Sequence, residues 1–477
     1  MRTYAPILCA AALLSPPATG RVQAQPLPPA PATATAQTIA KRPAATDVAP
    51  AVPPPLTTAL RVVSLHEALK SARDHQPQIL QARAQTAAAR ARADQARAPL
   101  LPQVTGTASY QRTTANFVAR PGTVPAQFAN MAAATSLDTY NFFSFGLTLS
   151  QYIWDFGQTT RRWQAARATA EAQDKSEQVT LLTIATAVHS AYFAARAGKA
   201  LLSVARDNLA NQDRHLTQVQ GFVQVGTRPE IDLAQARTDR ANAAVQVIAA
   251  ENSYALAKAQ LNQAMGVEDS VDFDVQDEVL PEVPGEDQGP EALLPEALKN
   301  RPEFLTLSRQ ITAQKLTLSA VKGAYGPSLT AGMSLTEAGT DITQLAWNFN
   351  ASVNLNWSLF SGLLTVSQVR EQRALLSGLE AQLSTLRQQV RLELESARLQ
   401  VRGSKATLQA AGEALTNARE RLRLAEARYR TGVGSIIELG DAQLALTAAA
   451  AQQVQAEYAL ASARTLLLRA LGQSIWA

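Results

Sequence analysis

Residues 347–359 read WNFNASVNLNWSL, with an apolar residue at every odd position and a polar one at every even position. Side chains alternate faces along a β-strand, so the segment predicts a strand with one greasy and one wet face. It exceeds the roughly 5–6 residues of an ordinary globular strand. It also exceeds the ~9–11 that a tilted strand needs to cross a bilayer. Trp347 and Trp357, near its ends, suit membrane–water interfaces. On this reading Phe349, Val353, Leu355 and Trp357 face lipid. A half-buried sheet in a water-soluble protein shows the same alternation, so the rest of the chain has to decide.

The rest of the chain is a duplication. Gly266 in LNQAMG and Gly472 in LLRALG each close a helical pattern, and they lie 206 residues apart. The same offset relates Gly226 to Gly432, Ile231 to Ile437, Leu233 to Leu439 and Ile153 to Leu359. Upstream the offset is 225, relating Pro77 to Pro302 and Pro102 to Pro327. The difference places an insertion in the first copy, in a longer loop around 116–139. Each copy therefore predicts helix, strand, loop, strand, long helix, tight turn, helix. In the first copy, 59–290, the helix covers 64–97, the strands 104–110 and 142–153, and the later helices 158–223 and 230–265. In the second, 291–477, the corresponding spans are 295–321, 328–336, 347–359, 363–430 and 436–471.

The long helix of the second copy keeps heptads: Leu394, Val401, Leu408, Leu415, Leu422 and Tyr429, with Ala397, Ser404, Ala411, Ala418 and Ala425 three residues after the first five. Projected into the first copy, the stripe becomes Val188, Ala195, Leu202, Leu209, Leu216 and Val223. A seven-residue period keeps one stripe on one partner and implies left-handed supercoiling, while small residues allow close approach. A helix of roughly 65 residues is about 100 Å long at ~1.5 Å per residue, which suits a protein that bridges a gap. At the hairpin tips Gly226 and Gly432 can take the left-handed conformation that ends a helix. Both Thr227-Arg228-Pro229-Glu230 and Ser435-Ile436-Ile437-Glu438 match a capping box.

The N-terminus, 1–24, reads as a secretory signal peptide with an apolar stretch over 5–14. Cys9, the only cysteine, falls inside it, so the mature chain has no thiol chemistry. Residues 25–58 are a Pro/Ala-rich linker that cannot build a core. After the N-terminus no apolar run is long enough for a transmembrane helix, so strands must do any spanning. A net charge of +5 without a Lys/Arg run leaves no nucleic-acid footprint. His66, His75, His189 and His215 have no metal-ligand spacing, four methionines supply no copper route, and there is no phosphate-binding loop. No catalytic residues, metal site or cofactor is expected.

The tandem plan, Pro102 and Pro327 before strands, IWDFG and LFSG after strands, and the tips FVQVGTRPEIDLAQA and ARYRTGVGSIIELGDAQ resemble the TolC-type outer-membrane efflux channel family. The resemblance covers nearly everything after the linker. It implies a mainly α chain with membrane β-strands. Three chains would form a 12-stranded β-barrel, four strands each, continuous with a long periplasmic α-helical barrel. It implies a passive, gated conduit in a three-component export system, with a periplasmic adaptor and an inner-membrane transporter of the RND or ABC type. Small toxic compounds and secreted proteins are both open as cargo. A periplasmic coiled-coil structural or adaptor protein without a pore is the alternative, and the paired amphipathic strands weigh against it.

Residue by residue, the resemblance implies a periplasmic gate at Glu438 and Asp441. It makes Asp232 and Tyr429 candidate tethers of the mobile hairpin. Adaptor docking falls on Val225, Gly226, Thr227 and Arg228 and on Gly432, Val433, Gly434 and Ser435. Each has a plainer reading as well. Glu438 completes a capping box, Tyr429 continues the heptad stripe, Asp232 is a first-turn acid, and the tips turn the chain. Gly434 stands where the family carries a tip arginine, and Arg228 lies on the other tip.

Overall fold

In the computed structural model the described residues are 61–114, 137–268, 272–473 and 476. The expected leader, the Pro/Ala linker and most of the long loop lie outside them. The first copy runs β1 (Arg61–Val63), α1 (Leu65–His75), α2 (Pro77–Arg97), β2 (Gln103–Thr114), β3 (Thr139–Trp154), α3 (Gln158–Gln224) and α4 (Glu230–Met265). A short strand, β4 (Phe273–Val275), leads into the second: α5 (Pro290–Asn300), α6 (Pro302–Gly323), β5 (Ser328–Gly339), β6 (Ala346–Asn356), α7 (Leu364–Arg430) and α8 (Ile436–Leu471). Both long helices have 67 residues and both returning helices 36. The predicted spans of these four helices hold to within one residue at each end.

The first helix of each copy is broken, contrary to the sequence expectation of one helix over 64–97 and one over 295–321. A proline disfavours helical geometry at the residue before it. Gln76 before Pro77 and Arg301 before Pro302 are both extended, at ψ 117° and 121°. Each break receives the end of its own copy's last helix. Gly266 ends α4 at φ +71°, and a Cβ there would lie 2.6 Å from Gln76 Cα. Gly472 ends α8 at φ +68°, and a Cβ there would lie 2.8 Å from Arg301 N. These glycines are needed both for a left-handed cap and for close backbone approach. Gly266→Ala should therefore lower stability by about 1–3 kcal/mol in thermal unfolding. Gly221→Ala, inside α3 with open space around it, should be neutral or stabilising. Equal effects at the two positions would remove the close-approach argument.

Strands β2-β3-β5-β6 form one antiparallel sheet in that order, so both copies contribute to it through the β3–β5 pairing. The strands exceed their predicted spans except at one end. β6 stops at Asn356, and Trp357, expected on the lipid face of the strand, lies beyond it with its indole Nε1 donating to the Tyr325 carbonyl at 3.1 Å. The register sorts the side chains. Leu147 pairs with Gly106 and Leu335, and Leu335 with Phe349. Leu149 likewise pairs with Val104 and Met333, and Met333 with Ala351. Directly opposed residues share a face, so these rows make one apolar surface. Ser334 pairs with Thr148 and Asn350, and Thr330 with Asn354, on the other face. A second sheet, the parallel pair β1–β4, was missed because three-residue strands are too short to show a period.

Two consecutive left-handed residues turn each last strand into a long helix: Phe156 and Gly157 in one copy, Gly362 and Leu363 in the other. They correspond at the 206 offset with the glycine in opposite places. Below the sheet, Leu394, Val401, Leu415, Leu422 and Tyr429 of the heptad stripe are buried, and Leu408 is half-buried. In α3 the projected stripe holds at Val188, Ala195 and Leu202. It then shifts to Ala205, Gln212 and Val219, leaving Leu209, Leu216 and Val223 half-buried. That shift admits polar groups, Gln212 and His215, where the sequence pattern expected leucine.

The connection between the copies is clamped to the second hairpin by a buried ion cluster. Arg464 on α8 donates to Glu286 through Nε and Nη2, both at 3.1 Å, and through Nη1 to the Leu280 carbonyl at 2.9 Å. Lys405 on α7 sits 2.5 Å from Glu286, which also accepts the Val283 N–H. Burial pushes the Glu286 carboxyl up, but the hydrogen bonds from Arg464, Lys405 and Val283 outweigh it and hold it below the usual carboxylate range.

Candidate functional site at the paired hairpin tips

Each long helix ends on a left-handed glycine whose loop folds back onto the last turn. Gly226 has φ +77°, and the Thr227 N–H reaches the Phe222 carbonyl at 2.9 Å. Gly432 has φ +79°, and the Val433 N–H reaches the Arg428 carbonyl at 3.1 Å. Both satisfy carbonyls that a helix end leaves open. The returning helices start differently. Ser435 Oγ accepts the Glu438 N–H at 3.1 Å, as its sequence pattern predicts. The box expected at Thr227 does not form. Thr227 Oγ1 donates to the Phe222 carbonyl at 2.9 Å, and α4 starts after Pro229 without a side-chain cap. The 206 offset explains the error, since Pro229 corresponds to Ser435 and Asp232 to Glu438.

Glu438 and Asp441 lie three residues apart on α8, so they share a face. The Glu438 carboxylate is 3.1 Å from Arg428 Nε, an ion pair within one hairpin that the sequence did not flag. Asp441 is exposed and has no cation within ion-pair distance among the described residues.

Tyr429 is buried between the two hairpins and Asp232 is buried at the start of α4. The Tyr429 ring packs edge-on to His215 and Phe222, with centroids 5.5 and 6.3 Å away. Among the described residues its hydroxyl has no hydrogen-bond partner, so no direct bond ties it to Asp232. Arg228 makes the crossing instead. Its guanidinium sits 4.6 Å from the Tyr429 ring centre, and Nη2 donates to the Gly434 carbonyl at 3.3 Å. A side chain at Gly434 would have its Cβ 2.9 Å from Tyr429 N, too close without a shift of the backbone. Burial pushes the Tyr429 phenol above its usual range, with Arg228 opposing. Burial also lowers the His215 imidazole against the pull of Asp239 and Asp232, so it favours the neutral form. Below this layer Gln212 Nε2 donates to Gln443 Oε1 at 3.0 Å, joining α3 to α8. Val225, Ile231, Val433 and Ile437 are exposed at 71–74% and make the tips apolar.

Among the described residues no three His, Cys, Asp or Glu side chains group to hold a metal ion, and no helix is long and apolar enough to cross a membrane. The arrangement offers charge, apolar knobs and a contact of Arg228 across the two hairpins.

The sequence model of the family described as outer membrane efflux protein matches residues 68–267 and 293–473. The chain belongs to this family. It is similar to the toluene efflux pump outer membrane protein TtgC of Pseudomonas putida, at 23% identity over 390 residues, covering 79% of this chain and 76% of that one. It is also similar to the probable outer membrane lipoprotein SilC of Salmonella typhimurium, at 22% over 245 residues, 49% of this chain and 52% of SilC. This chain thus spans about half the length of that relative. Among solved structures, CusC superposes with a TM-score of 0.74 at 19% identity, covering 86% of this chain and 92% of CusC. The Campylobacter jejuni CmeC outer membrane channel gives 0.73 at 19%, covering 86% and 85%. The chain therefore has the TolC-like fold of these solved outer-membrane channels.

Proposed function

We propose that this chain is the gated outer-membrane conduit of a three-part export assembly, working as a trimer. The observation that carries this is the sheet, whose register gives one apolar and one polar face and whose outer edges, on β2 and β6, are unpaired among the described residues. Lipid tolerates neither an open edge nor a wet outer face. Three copies of the four-stranded sheet close these edges on one another and turn the Asn/Ser/Thr face to a water-filled lumen. The helices then carry the passage for about 100 Å into the periplasm at ~1.5 Å per residue.

A periplasmic adaptor docks on the apolar tips around Val225 to Arg228 and Gly432 to Ser435. Energy comes from an inner-membrane transporter of the RND or ABC type. The names of relatives, toluene and antibiotic efflux pump proteins, favour small molecules over protein cargo. Glu438 and Asp441 form acidic rings at the entrance, which favour cations and impede flow. The Arg228–Tyr429 contact, with Asp232 beside it, holds the two hairpins together.

The test is single-channel recording of the purified chain in a planar bilayer, alongside its oligomeric mass. A trimer with discrete conductance is expected. The double variant Glu438→Ala, Asp441→Ala should raise conductance or reduce cation selectivity. Unchanged channel properties would remove these residues from the gate, and a non-conducting oligomer would overturn the conduit.

A further inference from the structure

In the four strands of the large sheet the charged residues are Arg112 and Glu337. Both fall on the apolar face. Arg112 shares the face of Val104, and Glu337, paired with Phe145 and Trp347, shares that of Leu335. The opposite face is made of the odd-numbered residues of β2 and the even-numbered residues of β5, of β6 and of β3 as far as Tyr152. It presents hydroxyls, amides, small residues and the rings of Tyr140, Phe142 and Tyr152, with no charged side chain among the described residues. One row crosses all four strands as Thr105, Thr148, Ser334 and Asn350. Strand β6 alone brings Asn348, Asn350, Asn354 and Asn356 to this face. The long helices α3 and α7, by contrast, carry acidic and basic residues along their length.

Amides and hydroxyls each offer both a donor and an acceptor. Such a wall solvates an ammonium, a carboxylate and a zwitterion alike, whereas a ring of one charge sign prefers its opposite. Asn354 Nδ2 donates to Ser352 Oγ at 3.3 Å, and every residue of β6 is exposed, so these side chains stand open to water and to a passing solute. We propose that the strand section is a charge-indifferent exit. Cargo of either sign, or of both, leaves through it by exchanging hydrogen bonds with amides and hydroxyls, and any selection by charge sign is left to the helical passage. The inference rests on the conduit reading, because the polar face becomes a lumen only when three copies close.

The test records reversal potentials of the whole protein in a planar bilayer, with K⁺ and Cl⁻ as probes. One side holds about 0.01 M KCl and the other about 0.1 M, for which the Debye lengths are ~30 and ~10 Å. Wall charges at the dilute end of a pore therefore act across it, and those at the concentrated end are screened. Protein added from one side keeps its long helices on that side, so the gradient can be set either way round. With the strand end in dilute salt, the two ions should permeate within about twofold of each other. Any preference should be larger with the helical end dilute. In the first orientation Asn350→Asp should impose a cation preference of about threefold or more, and Asn350→Lys an anion preference of the same size. A wild-type preference above about threefold with the strand end dilute would overturn the charge-indifferent exit. So would the absence of a shift in both Asn350 variants, because wall charge there would then not govern passage. A wild-type protein that conducts but gives either result sinks the exit alone, and one that does not conduct sinks the conduit with it.

Discussion

Arginine at Val353 or Leu355 should nearly abolish the assembled protein in the outer membrane, while arginine at Asn354 should be tolerated. Val353 pairs with Ala331 and Leu355 with Leu329, on the apolar face of the sheet. Asn354 pairs with Thr330 on the polar face. A charged side chain on the lipid face of a barrel costs ~2–4 kcal/mol at mid-depth and ~0–1 near the interfaces, and a trimer would carry the cost three times. On the lumenal side the same charge stays in water. Fractional exposure does not separate the two faces in an isolated chain, because every residue of β6 is exposed. The pairing register does. The measurement is heat-resistant oligomer recovered from outer-membrane fractions for each variant. Comparable yields from Val353→Arg and Asn354→Arg would defeat the barrel assignment.

Replacing Arg464 by Met should cost about 3–5 kcal/mol, because it strands a buried carboxylate with Lys405 as its one remaining cation. The double variant Arg464→Met, Glu286→Met should recover much of that loss, since paired charges and a well-packed apolar pair are often close in free energy. Denaturant unfolding of the solubilised protein reads both. A pH dependence follows from the same cluster. The folded carboxyl of Glu286 titrates below its ordinary value of 4.5, so the unfolded chain binds the proton first as pH falls. The contribution is complete well above 4.5 and is lost as pH drops through the folded value. Glu286→Gln should flatten this acid limb, and an unchanged limb would exclude Glu286 as its source.

Much of this molecule is written in periodicities. The 206-residue offset and the heptads located the four long helices almost to the residue, because a repeat tests every boundary twice. Alternation located β6 and its faces. The failures are equally specific. The helix spans expected from the sequence, 64–97 and 295–321, run straight through Pro77 and Pro302. Each proline already disfavours helical geometry at the residue before it, and the packing of Gly266 on Gln76 and of Gly472 on Arg301 shows what the bend makes room for. The capping box at Thr227 matched a local pattern, yet the repeat itself assigns the cap position to Pro229. At the tips, the family resemblance pointed to Glu438, Asp441, Asp232 and Tyr429 but not to their surroundings. The Arg428 partner of Glu438 and the seat of Arg228 on Tyr429 join residues that no spacing rule connects.

The sequence by itself determined the duplicated plan, the helix lengths, the two-faced strands and the family, since each depends on local period or on motifs in order. The tertiary structure decided which strands pair, where the α3 stripe shifts to admit Gln212 and His215, and how Arg464 and Arg228 tie distant segments together. The physical reason is range. A period is a property of neighbours along the chain, whereas a buried charge or an unpaired acceptor takes its meaning from groups brought close only by folding.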